Sequence, residues 1–82
     1  MDMTPVHSLD PDGVGRRIQD ARVRCGWSVN QLALRCDCTR QSIEAYEGGV
    51  NLPGSKMLAR LSLALGVTAD DLLGLPRLRG AS

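Results

Sequence analysis

Two short stretches of helical periodicity stand only three residues apart in the middle of the chain, and this spacing constrains the fold most strongly. Apolar residues recur on one helix face after Ser28, and a second periodic stretch over residues 40–47 follows Thr39. Ser and Thr are favoured at helix N-caps. Residues 37–39 form the turn, where Asp37 tolerates a positive φ. A connection this short forces the two helices to cross at a steep angle.

Similar signals predict three more helices. Apolar residues at helical spacing predict a first helix over residues 14–25, and two others are expected over residues 55–65 and 69–73. Glycines directly after the first and fourth helices predict where these end. The chain has one Trp, one Tyr and no Phe, so the core is expected to be aliphatic. The predicted fold is therefore all-α, a five-helix bundle.

Length limits the chain to one small domain, because 82 residues lie near the lower end for a single apolar core. We expect residues 1–12 to be a disordered N-terminal tail, residues 13–75 the folded domain and residues 76–82 a loose C-terminal tail. The N-terminus lacks the regions of a secretory signal, and no apolar stretch approaches the ~20 residues that cross a bilayer. A cytoplasmic protein without a membrane segment is predicted.

The net charge of +1 conceals an uneven distribution. Residues 1–12 carry three acidic side chains, whereas residues 13–66 carry eight basic against four acidic ones, a net charge of +4. Seven of those eight bases are Arg, the residue that contacts phosphate and guanine in bidentate geometry. This distribution is compatible with nucleic-acid binding, although solvated helical faces often have the same composition.

The cysteines allow two interpretations. Cys25 and Cys36 occupy apolar-face positions and Cys38 lies in the turn, so we expect them to fill the core as small apolar residues. Redox or metal sensing is the alternative, but zinc normally takes four ligands, and the only histidine, His7, lies in the N-terminal tail. We therefore expect no metal and no cofactor. The sequence also lacks a Ser-His-Asp set, a Cys-His pair and a phosphate loop, so an enzyme is not expected.

An ordered series of motifs covers about three quarters of the chain. Its members are Gly-Trp-Ser at 26–28, Gln-Leu-Ala at 31–33, Thr-Arg-Gln-Ser-Ile-Glu-Ala-Tyr-Glu at 39–47, Gly49, Pro53, Leu-Ala-Leu-Gly-Val-Thr at 63–68 and Asp-Leu-Leu at 71–73. In these motifs the chain resembles the phage-repressor/Cro-like (XRE) family of helix-turn-helix DNA-binding proteins. The resemblance implies a lambda-repressor-like domain whose third helix enters the major groove of DNA.

The resemblance also implies which residues read bases. Positions that match Arg40, Gln41 and Ala45 touch base edges in relatives, and these side chains suit guanine, adenine and the thymine methyl group respectively. The alternative is that they are ordinary surface residues of a helix. Glu44 has three possible roles: it accepts a hydrogen bond from cytosine, repels phosphate, or pairs with Arg40 at i, i+4, which we favour.

Phosphate contacts are expected at the N-termini of the second and third helices and in the loop after the third. Relatives commonly carry Gln where this chain has Val29, so only a backbone N–H is expected to donate there. The loop after the third helix is less basic than in many relatives, which leaves glycine amides and an Asn as donors. The predicted phosphate-contacting residues are Ser28, Val29, Thr39, Ser42, Gly49 and Asn51.

Two sets of residues are assigned to structure and assembly. Arg22 and Glu47 match a pair that joins the first and third helices by an inward salt bridge in relatives. The apolar residues of the last helix and beyond are candidates for a dimer surface, with core packing as the alternative: Leu72, Leu73, Leu75 and Leu78.

These expectations combine into a function. The chain is predicted to be a sequence-specific regulator of transcription that binds double-stranded DNA as a homodimer and reads a palindromic operator. Repression by occupying a promoter is favoured, and activation by contact with polymerase is the alternative. A protein-interaction module on the same fold is the alternative, such as an antitoxin or a partner subunit of a larger regulator. It would bind a protein partner tightly and DNA weakly and without sequence preference.

Overall fold

Every regular element between residues 10 and 75, the part of the chain that the computed structural model describes, is an α-helix. The all-α prediction is therefore confirmed. No described helix has the length and apolarity needed to cross a membrane. The five helices are α1 (Pro11–Arg24), α2 (Val29–Arg35), α3 (Arg40–Glu47), α4 (Ser55–Leu65) and α5 (Ala69–Leu73).

Side-chain caps start most of these helices. The Ser28 hydroxyl accepts a hydrogen bond from the Gln31 N–H at the start of α2, and the Thr39 hydroxyl accepts one from the Ser42 N–H at the start of α3, both at 3.1 Å. Thr68 caps α5 in the same way. Each such cap contributes about 1 kcal/mol of helix stability.

The first helix begins earlier than its apolar periodicity indicates. Pro11 is its first residue, and the Asp10 carboxylate caps it by accepting a hydrogen bond from the Asp12 N–H. Proline fits the first helical position because its φ is preset and its missing N–H has no helical acceptor there. The boundary predicted between residues 12 and 13 is therefore wrong for residues 10–12. The tails predicted for residues 1–9 and 76–82 lie outside the described residues.

The core is aliphatic, as the scarcity of aromatic residues predicts. Each of the five helices contributes to it, and its largest fully buried side chains are Val14, Ile18, Leu32, Cys36, Ile43, Leu61 and Leu72. Leu72 is only 1% exposed, so its assignment to a dimer surface is wrong. The last helix packs against α1 and α4, and burial of a leucine such as this one contributes about 1.5–3 kcal/mol.

Arg17 of α1 holds the end of the last helix. Its Nε donates to the Leu72 carbonyl at 3.0 Å, and its Nη2 donates to the Leu73 carbonyl at 3.1 Å. The last carbonyls of a helix lack intrahelical partners and carry the negative end of the helix dipole. A guanidinium therefore suits this position, and it ties the five-residue α5 to the body of the domain.

Candidate nucleic-acid interface

The turn between α2 and α3 sets the direction of α3. Asp37 adopts the positive φ that the sequence predicts, at 56°. The Cys38 N–H donates to the Ala33 carbonyl at 3.0 Å, which folds the chain back on α2. Ile43 is fully buried beneath α3 and anchors its inner face. One face of α3 is thereby fixed to the domain, and the other is presented to solvent.

The outward face of α3 carries the residues predicted to read bases. Arg40, Gln41 and Glu44 are exposed, and Ala45 is half-buried. Arg40 Nε lies 2.9 Å from Glu44 Oε2, and the two side chains are 59% and 50% exposed. The ion pair at i, i+4 that we favoured for Glu44 is thus present. Because it uses Nε, the terminal guanidinium nitrogens keep their N–H donors for another partner.

The C-terminal end of α3 is joined to α1 by a second ion pair. Arg22 Nε lies 2.6 Å from Glu47 Oε2, and Nη2 lies 3.0 Å from Oε1, which makes the pair bidentate. The two side chains are only 12% and 9% exposed. The hydrogen bond from Arg22 to Glu47 raises the pKa of the guanidinium above its usual value, against the opposing effect of burial. Arg22 also donates to the Trp27 carbonyl at 2.9 Å, so it fixes the α1–α2 turn as well.

The starts of α2 and α3 offer backbone donors. The first-turn N–H groups of a helix have no intrahelical acceptor. The Val29 side chain is aliphatic and packs against the core, so only its backbone N–H could donate to an anion. The Thr39 and Ser42 hydroxyls lie 3.0 Å apart and share one hydrogen bond, which leaves one of the two hydroxyl protons to donate elsewhere.

The loop after α3 differs from expectation. The Gly48 N–H donates to the Glu44 carbonyl and the Gly49 N–H to the Tyr46 carbonyl, so both glycine amides already have partners. Gly49 has a φ of 78°, and a Cβ there would collide with the Asp12 carboxylate. The prediction that glycine amides in this loop donate to phosphate is therefore wrong. These two amides close the end of α3, and the Asp12 carboxylate lies next to Gly49.

Asn51 remains as an exposed side chain in this loop. It is flanked by two exposed apolar residues, Val50 at 75% and Leu52 at 40% exposure. Sequence reasoning assigned them no role, because neither lies in a periodic stretch. Among the residues predicted for a dimer surface, Leu73 and Leu75 are half-buried. Leu78 lies outside the described residues.

The three cysteines have unlike environments. Cys36 is fully buried and Cys38 half-buried, as expected of residues that fill a core. Cys25 is exposed, so the prediction that it fills the core is wrong. It follows the last residue of α1 and is the C-cap of that helix. Its Sγ lies 3.8 Å from the Leu65 carbonyl. Among residues 10–75, no three His, Cys, Asp or Glu side chains are grouped so that they could hold a metal ion.

Alkylation is expected to separate these thiols. Burial, with a smaller effect of Cys38, raises the pKa of Cys36 to about 11, and burial also raises the pKa of Cys38. Because the thiolate is the reactive form, iodoacetamide at pH 8 should label Cys25 first and Cys36 only on unfolding. Mass spectrometry of timed samples, with urea-unfolded protein as control, measures this order. Equal labelling rates for Cys25 and Cys36 in the folded protein would contradict it.

Comparisons with known proteins agree with this arrangement. Residues 15–77 match the family described as "Helix-turn-helix domain". The chain is 39% identical over 59 residues to a Bacillus subtilis protein named SPbeta prophage-derived uncharacterized HTH-type transcriptional regulator YonR, a match that covers 72% of this chain. The chain spans 55% of the length of that relative.

Solved structures share the fold. The hypothetical transcription factor NHTF from Neisseria superposes with a TM-score of 0.76 at 26% identity, covering 93% of this chain and 87% of that one. The N-terminal DNA-binding domain of SinR from Bacillus subtilis has a TM-score of 0.70 at 26% identity, covering 73% and 88%. SinR has also been solved in complex with DNA and, separately, with the SinI protein. With α2 and α3 joined by a short turn and a family match over residues 15–77, this chain belongs to the helix-turn-helix domain family.

Proposed function

We propose that the protein is a transcriptional regulator that binds double-stranded DNA in a sequence-specific manner through the outward face of α3. The observation that carries this proposal is the presentation of Arg40, Gln41 and Glu44 to solvent on a helix whose opposite face is anchored by Ile43. The name of the YonR relative and the DNA complex of SinR support it. The function is one of binding, and we assign no catalytic step to it. A DNA ligand also fits the expected cytoplasmic location.

Bases would be read by hydrogen bonds and apolar contact in the major groove. Arg40 would donate to guanine O6 and N7 through its terminal nitrogens, while Glu44 holds Nε and limits the directions that the guanidinium samples. Gln41 would pair with adenine, and the Ala45 methyl group would pack against a thymine methyl. Glu44 thus acts by orienting Arg40.

Phosphates would be bound mainly by neutral donors. Ser28, the Val29 N–H, Thr39 and Ser42 lie at or near the starts of two helices, where the dipole favours anions, and Asn51 adds an exposed amide. Because few of these contacts are cationic, few counterions are released on binding. We expect a shallower dependence of affinity on salt than cationic contacts would give.

Two copies would read a palindrome. One recognition helix spans too few base pairs for useful specificity, whereas two helices about 34 Å apart read both halves of an operator on one face of the duplex. Leu73, Leu75 and Leu78 are the proposed dimer contacts. Arg17 positions the first of these by holding the end of α5. Repression by occupying a promoter is the simplest consequence of such binding.

A protein-interaction module is the second candidate. The glycine amides of the loop after α3 already have partners and lie beside Asp12, which removes donors that DNA binding would use. SinR, whose DNA-binding domain has a similar fold, has been solved in complex with another protein, SinI. On this alternative, duplex binding would be weak and independent of sequence.

Selection from a pool of random duplexes at near-physiological salt tests the proposal. We expect enrichment of a palindromic motif whose half-sites lie one helical turn apart. Binding to the selected duplex should exceed binding to a scrambled duplex by at least about 10³-fold. No enriched motif, with binding that disappears as salt rises, would leave only the nonspecific electrostatic contribution and favour the protein-interaction module.

A further inference from the structure

A groove lined by apolar side chains and by two arginines lies on the side of the domain formed by α2 and α4. It is lined by Trp27, Arg35, Arg60, Leu63 and Ala64. No residue of α3 contributes to it, so the groove is separate from the proposed DNA-reading face. Leu63 is 85% exposed although it belongs to α4, whose other leucines pack inward.

The apolar residues of the groove form one patch. Isolated exposed leucines are normal on protein surfaces, whereas adjoining exposed apolar residues that are bordered by polar ones mark interaction sites. Here Leu63 and Ala64 lie beside Trp27, which itself packs against the core and is held by it. Because the Arg35 guanidinium lies over the Trp27 ring, the apolar contact open to a partner is mainly that of Leu63 and Ala64.

The charges that line the groove indicate which kind of partner would bind there. Arg35 and Arg60 are the only charged residues among the described residues that line the groove, so its charge is +2. A second copy of the chain docked by the same patch would bring four guanidinium groups together. Residues 76–82 carry Arg77 and Arg79 and no acidic residue, so they have the same sign. A segment with carboxylates beside a large apolar side chain complements both the apolar residues and the arginines of the groove.

A nucleic acid fits this groove less well. The guanidinium of Arg35 lies over the Trp27 ring, 4.1 Å from its centroid, and therefore covers the face on which a base would stack. A phosphodiester backbone would leave the exposed Leu63 without an apolar partner. We infer that the groove between the α1–α2 turn, α2 and α4 is a docking site for a segment of a partner protein that carries carboxylates beside apolar side chains.

Trp27 is the only tryptophan of the chain, so its fluorescence reports on the groove directly. The probe is a blocked 14-residue amphipathic peptide with Leu on one face and Glu flanking it. The control peptide keeps the Leu positions and carries Lys in place of Glu. Titrated into the full-length protein, the Glu peptide should change the Trp27 emission in a saturable manner. The Lys peptide should bind at least about tenfold more weakly than the Glu peptide, because it loses ion pairs with Arg35 and Arg60 and is repelled by both.

A matched pair of variants localises the binding. Leu63→Glu should weaken the Glu peptide at least tenfold, whereas Val23→Glu, which changes another exposed apolar residue outside the groove, should not. Both variants should bind duplex DNA as the original protein does, so failure of this inference is distinguishable from failure of the proposed DNA binding. Sedimentation of both variants shows whether the groove joins two copies.

Four results would overturn the inference. They are equal affinity for the Glu and Lys peptides, unchanged peptide binding by Leu63→Glu, displacement of the peptide by a duplex of random sequence, and conversion of a dimer to a monomer by Leu63→Glu. The last two would identify the groove as a nucleic-acid surface or as a contact between copies of this chain.

Discussion

Replacing Arg22 by Ala is expected to lower the free energy of unfolding by about 3–5 kcal/mol, because it leaves the Glu47 carboxylate nearly buried without its partner. The change also removes the hydrogen bond to the Trp27 carbonyl, and with it the link between α1 and the α1–α2 turn. A small domain has only about 5–15 kcal/mol of stability in total. We therefore expect loss of DNA binding through loss of fold, seen as a fall in the urea and thermal midpoints by circular dichroism.

The chain offers its own control for this experiment. The Arg40–Glu44 pair joins the same residue types but is more than half exposed at Arg40, so breaking it with Glu44→Ala should change stability by only about 0.3–0.5 kcal/mol. Replacing Arg22 and Glu47 together by Met and Leu should restore much of the loss, since no unpaired charge stays buried. Equal effects of Arg22→Ala and Glu44→Ala would contradict the structural role of the inner pair.

The second large effect is expected at Gly15. A Cβ there would collide with the backbone carbonyl oxygens of Tyr46 and Glu47, so α1 must move away from the end of α3. Backbone atoms cannot rotate aside as a side chain does, and overpacking of this kind typically costs about 1–3 kcal/mol or more. Since Glu47 also carries the ion pair to Arg22, Gly15→Ala should weaken that pair too, and urea unfolding measures the combined loss.

Gly13 supplies the matched control, because it lies two residues before Gly15 on the same helix. A Cβ at Gly13 would meet only the flexible side chains of Asp10 and Arg17. Gly13→Ala should therefore be neutral or stabilising by up to about 1 kcal/mol, through the better helix propensity of Ala. A destabilisation by Gly13→Ala as large as that by Gly15→Ala would contradict the assignment of the Gly15 effect to the close contact between α1 and α3.

Much of the fold was readable from the sequence because its signals are local. Ser28, Thr39 and Thr68 are caps whose partners lie three residues away, and the positive φ of Asp37 follows from the short turn that contains it. The start of α1 at Pro11 was missed because those residues lack apolar periodicity. Asp followed by Pro is itself a helix-start signal and would have found it.

The remaining features depend on packing between distant parts of the chain. Arg17 reaches α5 across 55 residues of sequence, and Gly15 meets the end of α3, contacts that no local pattern encodes. The same holds for the bonded amides of Gly48 and Gly49, which are settled by how α3 ends. On the outward face of α3, the sequence predicts the exposure of Arg40 and Gln41 correctly, since helical periodicity fixes which side faces the core once Ile43 is buried.

Base readout by Arg40 can be measured on the operator that the selection yields. Arg40→Ala and Arg24→Ala each remove one exposed arginine, but only the first lies on the outward face of α3. Both should be measured on the operator and on versions of it with single symmetric base changes. Arg40→Ala should lose about 1–3 kcal/mol on the operator and lose discrimination at one symmetric guanine position, while Arg24→Ala keeps it. If Arg40→Ala weakens all duplexes equally and retains every base preference, Arg40 does not read a base, which would contradict sequence-specific binding through this residue.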